Sequence, residues 1–201
     1  AAITSITTDD GGSIGAGEYT IIGAGATALT MATDGNTQTY NDPVVLAGDV
    51  TFTDSGATGI FFNSTLDTAT GLGAGEGDLT VNVNNPAAQV VFGGVVGGNN
   101  VAAVSKDDLG SGTGAAITIP ATSLGTHTFE QNVFVASGFS QADGAGLVTF
   151  RANVDVDSDG ASAGDTASTF FGSVTFDDLT PGNGITFDSF LAVTFGNAAA
   201  D

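Results

Sequence analysis

Thr37-Gln38-Thr39-Tyr40, followed three residues later by Val44-Val45-Leu46-Ala47, returns as Thr126-His127-Thr128-Phe129 followed at the same distance by Val133-Phe134-Val135-Ala136. Each copy is a short alternating run, a polar turn and a second apolar run, which reads as strand, turn, strand. Other pairs flank it. Ile3 to Asp10 aligns with Val101 to Asp108, and both end in Asp-Asp. Val91-Phe92-Gly93-Gly94-Val95 aligns with Phe170-Phe171-Gly172-Ser173-Val174, and Phe61 falls opposite Phe150. The blocks keep their order while the offset drifts. The chain therefore divides near Asn100 into a first repeat block, 1–100, and a second, diverged block, 101–201.

A repeat that drifts only in its turns suits a solenoid, in which each coil buries its inward residues on the coils above and below and extra residues bulge out at the corners. No sustained helical periodicity interrupts the short runs, which are bounded by Gly, Asn and Asp. The fold class is all-β. Within it, short strands alone leave a β-sandwich or jelly-roll subunit as the alternative to a parallel solenoid. The 14 Phe residues supply the core, with Phe52, Phe61, Phe92, Phe129, Phe150, Phe171, Phe176, Phe187 and Phe195 as its candidates.

Composition narrows the function. The 201 residues carry 22 acids against two cations, Lys106 and Arg151, a net charge of −20. Displacing counterions from nucleic acid, or lying on an anionic membrane, needs clustered cations that this chain lacks. No apolar run approaches the roughly 18 residues of a transmembrane helix. With no Cys, there is neither a disulfide nor a thiolate metal site. Ala1-Ala2 at the start suits cleavage after a signal peptide and predicts export to the cell surface or beyond.

Thr37-Gln38-Thr39-Tyr40-Asn41-Asp42 with Val44 and Leu46, Leu79-Thr80-Val81-Asn82, Phe92-Gly93-Gly94-Val95-Val96-Gly97 and Ile6-Thr7-Thr8-Asp9 resemble motifs that recur in filamentous-haemagglutinin-like bacterial surface proteins. Val156-Asp157-Ser158-Asp159-Gly160 resembles a turn of the same arrays. The resemblance implies a right-handed parallel β-solenoid at the cell surface with adhesive or structural work. Members of that family are usually far longer, and here Gln141 to Gly146 reads as an insertion into the second block.

Few residues offer chemistry. Asp155-Val156-Asp157-Ser158-Asp159-Gly160 has the D-x-D-x-D-G spacing of a calcium loop, with carboxylates on alternate positions around one hard cation. Its twelfth position is Thr166, so the bidentate acid is missing. Asp155, Asp157 and Asp159 are the candidate metal ligands and Ca2+ the one candidate cofactor; the competing reading is an Asx-rich turn. His127, the single imidazole, aligns with Gln38, which points to a strand residue rather than a triad base. Asp9-Asp10, Asp107-Asp108 and Asp177-Asp178 would be the acid pairs of a glycosidase, but two pairs fall at equivalent turns and no Trp is present to stack on sugar. The chain is expected not to be an enzyme.

A solenoid end presents unpaired strand edges, which join other chains unless they are capped. The N-terminal residues Ala1, Ala2 and Ile3 and the C-terminal residues Phe190, Leu191 and Phe195 show no cap signal and are the candidate assembly interface. The leading expectation is a secreted structural subunit that partners itself, end on end, in a filament, sheath or surface layer. The alternative is an adhesin segment of a larger protein that binds cell-surface or host glycans or proteins. Its contact loops would be Gln141 to Gly146 and Gly56 to Gly59.

Overall fold

The computed structural model describes residues 5–8, 19–23, 27–72, 76–98, 108–110, 114–156, 165–179 and 184–196. These form twenty strands and no helix, and the strands wind into seven coils. The first coil is β1 (Ile6–Thr8), β2 (Thr20–Ile22) and β3 (Leu29–Thr33). The second is β4 (Gln38–Tyr40), β5 (Val44–Leu46) and β6 (Val50–Asp54). The third is β7 (Gly59–Phe62), β8 (Leu66–Thr68) and β9 (Leu79–Val83). The fourth holds β10 (Gln89–Phe92) and β11 (Ala115–Ile119), and in its middle position Val96, bridged to Leu66 below and Val133 above, and Leu109, bridged to Val135. The fifth is β12 (Thr126–Phe129), β13 (Val133–Val135) and β14 (Gly138–Gln141). The sixth is β15 (Val148–Phe150), β16 (Val154–Val156) and β17 (Ser168–Phe170), and the seventh β18 (Val174–Phe176), β19 (Phe187–Ser189) and β20 (Val193–Phe195).

Three parallel faces result. Face one stacks β1-β4-β7-β10-β12-β15-β18, and face three stacks β3-β6-β9-β11-β14-β17-β20. Face two consists of β2-β5-β8 and β13-β16-β19, joined through Val96. Consecutive strands lie on different faces, and each pairs with the equivalent strand one coil away. This is a parallel β-solenoid, not a sandwich. At roughly 4.8 Å per rung, seven rungs make a stack about 30 Å high.

The strand sequences explain the winding. In β6 and β9 the burial alternates, with Val50, Phe52, Leu79, Val81 and Val83 inward and Thr51, Thr53, Thr80 and Asn82 outward. A three-sided coil buries the inward set of every face, so one cluster runs from Ile22 to Phe170 along the whole axis. Aromatic rings line it. On face one Tyr40, Phe62, Phe92, Phe129, Phe150 and Phe176 stack rung upon rung, with neighbouring centroids 4.4 to 5.7 Å apart. On face three Phe139, Phe170 and Phe195 stack at 5.0 and 5.2 Å. Edge-to-face contacts such as Phe139–Phe150 tie the two ladders together.

Corners absorb the drift in length. The fourth coil leaves face two at Gly97 and Gly98, whose φ values of 66° and 60° favour glycine, and returns at Leu109, which bridges to Val135. A β-carbon on Gly97 would run into the carbonyl of Phe134.

The aligned pairs of the sequence fall in shared columns. Gln38, Ile60, Val90 and His127 stack in one, and Val44, Leu66, Val96 and Val133 in another. Other readings shift. Phe61 faces outward, and Phe62 takes the place opposite Phe150's column. Phe170, not its neighbour Phe171, is the buried ring. It lies on face three, whereas Phe92 lies on face one, so those blocks are not equivalent. The Gln141 to Gly146 stretch is no insertion: Gln141 ends β14, and the residues after it make the ordinary corner into β15. The alignment of Ile3 to Asp10 with Val101 to Asp108 lies mostly outside the described residues.

Candidate functional site

Coil seven sets the geometry of the C-terminal end. β18, β19 and β20 repeat the inward pattern of the coils before them, and Val174-Thr175-Phe176 and Val193-Thr194-Phe195 copy Val148-Thr149-Phe150. Phe176, Phe187 and Phe195, one from each face, therefore converge on the axis, with centroids 6.0 to 6.4 Å apart. Each stacks on or abuts a buried ring below it. Among the described residues no eighth rung covers them, and Phe176 is 43% and Phe195 55% exposed. Phe190, at the corner before β20, is 72% exposed, whereas Leu191 is half-buried and its carbonyl accepts a hydrogen bond from Ser189 Oγ at 2.9 Å.

Of the predicted interface, Phe190, Leu191 and Phe195 thus sit together on the last coil. Ala1, Ala2 and Ile3 lie outside the described residues. Phe176 and Phe187, read from sequence as core, belong to the same open rung. The signal was present in the Val-Thr-Phe triplets at 50–52, 148–150, 174–176 and 193–195, each of which places its Phe inward; among the described residues the last two copies have no strand above them.

Asp155 lies in β16, between the inward Val154 and Val156. It stacks one rung below Asp188 on the outside of face two. Partial burial raises its pKa, and the Asp188 charge adds to the rise. Asp157 and Asp159 lie outside the described residues. Among the described residues no three His, Asp or Glu side chains converge to hold a metal ion.

His127 is fully buried. Its Nε2 lies 2.9 Å from Ser123 Oγ, which accepts the Val83 amide hydrogen at 3.0 Å. Burial pushes its pKa down to about 4, offset in part by the Leu147 backbone contact, so the imidazole is neutral at pH 7. The equivalent place on coil two holds a longer polar chain. Tyr40 Oη donates to Gln38 Oε1 (3.0 Å), Gln38 Nε2 to Thr33 Oγ1 (3.2 Å) and the Thr53 carbonyl (2.6 Å), and Thr33 Oγ1 to Asp54 Oδ1 (3.1 Å). Both arrangements pair most of the buried polar groups at the corner between faces three and one, leaving only His127 Nδ1 and Asp54 Oδ2 of these side chains without a hydrogen bond.

Arg151 bridges three coils, with NH1 2.7 Å from Glu130 Oε1 and Nε 3.3 Å from Asp177 Oδ2. It borders a polar surface depression lined by Asn132, Asn153 and Asp178. Asp177 of the Asp177-Asp178 pair is therefore held by a cation; Asp9, Asp10 and Asp107 lie outside the described residues. The Gly56 to Gly59 turn packs closely: a β-carbon on Gly56 would meet the Gly35 backbone. No helix among the described residues is long and apolar enough to cross a membrane.

Compared with known proteins, the chain matches no family model, no curated protein and no solved structure.

Proposed function

We propose that this chain is a structural β-solenoid of the cell exterior that extends by stacking, its seventh rung taking a further rung from another copy. The observation that carries the reading is the triangle of Phe176, Phe187 and Phe195, which among the described residues has no rung over it and ends in three strand edges without a partner. Burying such rings recovers roughly 25 cal/mol per Å² of apolar surface, and the edge amides and carbonyls gain partners. Stacking of one end on the other is heterologous and does not close, so it yields a fibre rather than a ring. Burial of His127 on Ser123 supports a packing role for the single imidazole.

Negative-stain electron microscopy of the full chain at neutral pH tests this. Filaments one solenoid wide are expected, longer and more numerous as salt rises from low to physiological strength, and absent for Phe195→Asp. Dispersed short rods under all conditions would overturn the stacking reading and favour an adhesin segment binding cell-surface or host glycans or proteins.

A further inference from the structure

Face three carries a second pattern, on its outer side. Thr30, Thr51, Thr80, Thr118, Ser140, Thr169 and Thr194 occupy one column, a hydroxyl on every one of the seven coils. The register runs unbroken through these positions, and its one irregularity, between Ala115 and Ile117, falls before Thr118. On the first three coils a parallel column adds Ala32, Thr53 and Asn82. In a molecule of net charge −20, no outward side chain in these strands is charged. Asp54 points inward, while Asp34, Asp49 and Asp78 lie in the turns that bound the sheet. None of the seven hydroxyls bonds within the chain among the described residues, whereas the inward hydroxyls of Thr33, Thr68, Ser123 and Ser168 are all engaged. Face one differs: its column reads Thr7, Thr39, Phe61, Val91, Thr128, Thr149, Thr175 and runs beside the charged row of Glu130, Arg151 and Asp177.

We propose that face three binds the surface of ice. The occupant follows from the chemistry of the face. Threonine is stiff about χ1, so the rotamers are set before binding. Each of the six threonines offers one hydroxyl to hold a water and one methyl beside it to confine the next, and Ser140 supplies the hydroxyl alone. The strands repeat the pair at about 4.8 Å, close to the repeat of water oxygens along the a axis of hexagonal ice. Charged groups order water about themselves and would break that lattice; the neutral face in an acidic molecule complements an uncharged solid. Crystalline polysaccharide is the other flat, neutral partner, but it is gripped by aromatic stacking, and the outward positions of these strands hold no ring. The inference does not rest on the stacking reading, since a chain that stays a short rod carries the same face.

The test is the growth of single ice crystals in a solution of the full chain, read as the gap between melting and freezing points and as crystal shape. Wild type is expected to facet the crystals and open a gap. Thr80→Tyr and Thr118→Tyr, in the middle of the column, are expected to lose more than half of it, while Thr149→Tyr on face one keeps it. Melting curves identify variants that fail to fold, and Thr169→Lys, nearer the open end, repeats the comparison with a charge in place of bulk. Round crystals and no gap for wild type would overturn the proposal. So would equal losses for Thr118→Tyr and Thr149→Tyr. Retention on microcrystalline cellulose that Thr118→Tyr abolishes, with ice growth unaffected, would reassign the face to polysaccharide.

Discussion

Phe92 and Phe176 occupy the same column of face one, three rungs apart, and differ only in what lies above them. Phe92 is sealed between Phe62 and Phe129, at 5.1 and 4.4 Å, and Phe92→Ala leaves a cavity that the parallel sheets cannot collapse. A loss of about 3 to 5 kcal/mol is expected in denaturant unfolding, against about 1 kcal/mol for Phe176→Ala, whose ring is already partly in water. His127 makes stability depend on pH. Its folded pKa of about 4 lies below the ordinary 6.5, so as pH falls the unfolded chain takes up the proton first. Stability from this group is complete above pH 6.5 and declines down to pH 4, by about 3 kcal/mol at most. His127→Gln, which installs the residue found in that column at position 38, is expected to narrow the difference in melting temperature between pH 7 and pH 4.5. An undiminished difference would assign the pH dependence to the carboxylates. The equivalence of Gln38 and His127 was legible from their matching flanks. Which member of Phe61-Phe62 or Phe170-Phe171 faces inward was not, because two adjacent rings satisfy either phase of a two-residue period.

Strands were legible where apolar residues alternate, as in β6 and β9, and where four apolar residues run together, as around β5. Three strands carry little of that signal, for physical reasons. β8 has Leu66 as its one large apolar residue, beside the buried polar Asp67 and Thr68. β14 hides Phe139 between Gly138 and Ser140. β16 sits inside a run of aspartates whose spacing imitates a calcium loop, although Val154 and Val156 give it two inward anchors. The open rung was legible as a stretch without a cap, and its aromatic convergence needed the third dimension. Elements also differ in how firmly they are held. In a solenoid, stability is a sum over neighbouring coils, and coil seven has a neighbour on one side only among the described residues. Amide hydrogen exchange is expected to be slowest in β7, β10 and β12 and fastest in β18 and β20. Uniform protection along the stack would mean that the last rung is covered in solution.

Across the whole molecule, the chain carries a net charge of −20 and its described coils form a stack about 30 Å high, so any end-to-end contact works against repulsion. Physiological salt shortens the reach of that repulsion to about 8 Å, within two rungs, which is why the filaments are expected to respond to ionic strength. The coils themselves keep register while differing in length: 22 residues separate Gln38 from Ile60, and 37 separate Val90 from His127, yet each pair is stacked. Position is therefore counted in space and not along the chain. A lineage carrying this fold is free to gain or lose residues at a corner such as the long one that opens at Gly97 and Gly98, and every later rung still lands where it did. The same change made inside a strand turns that strand's inward residues out. Corners are where such a protein can diversify in length; strands change chiefly by exchange of one side chain for another.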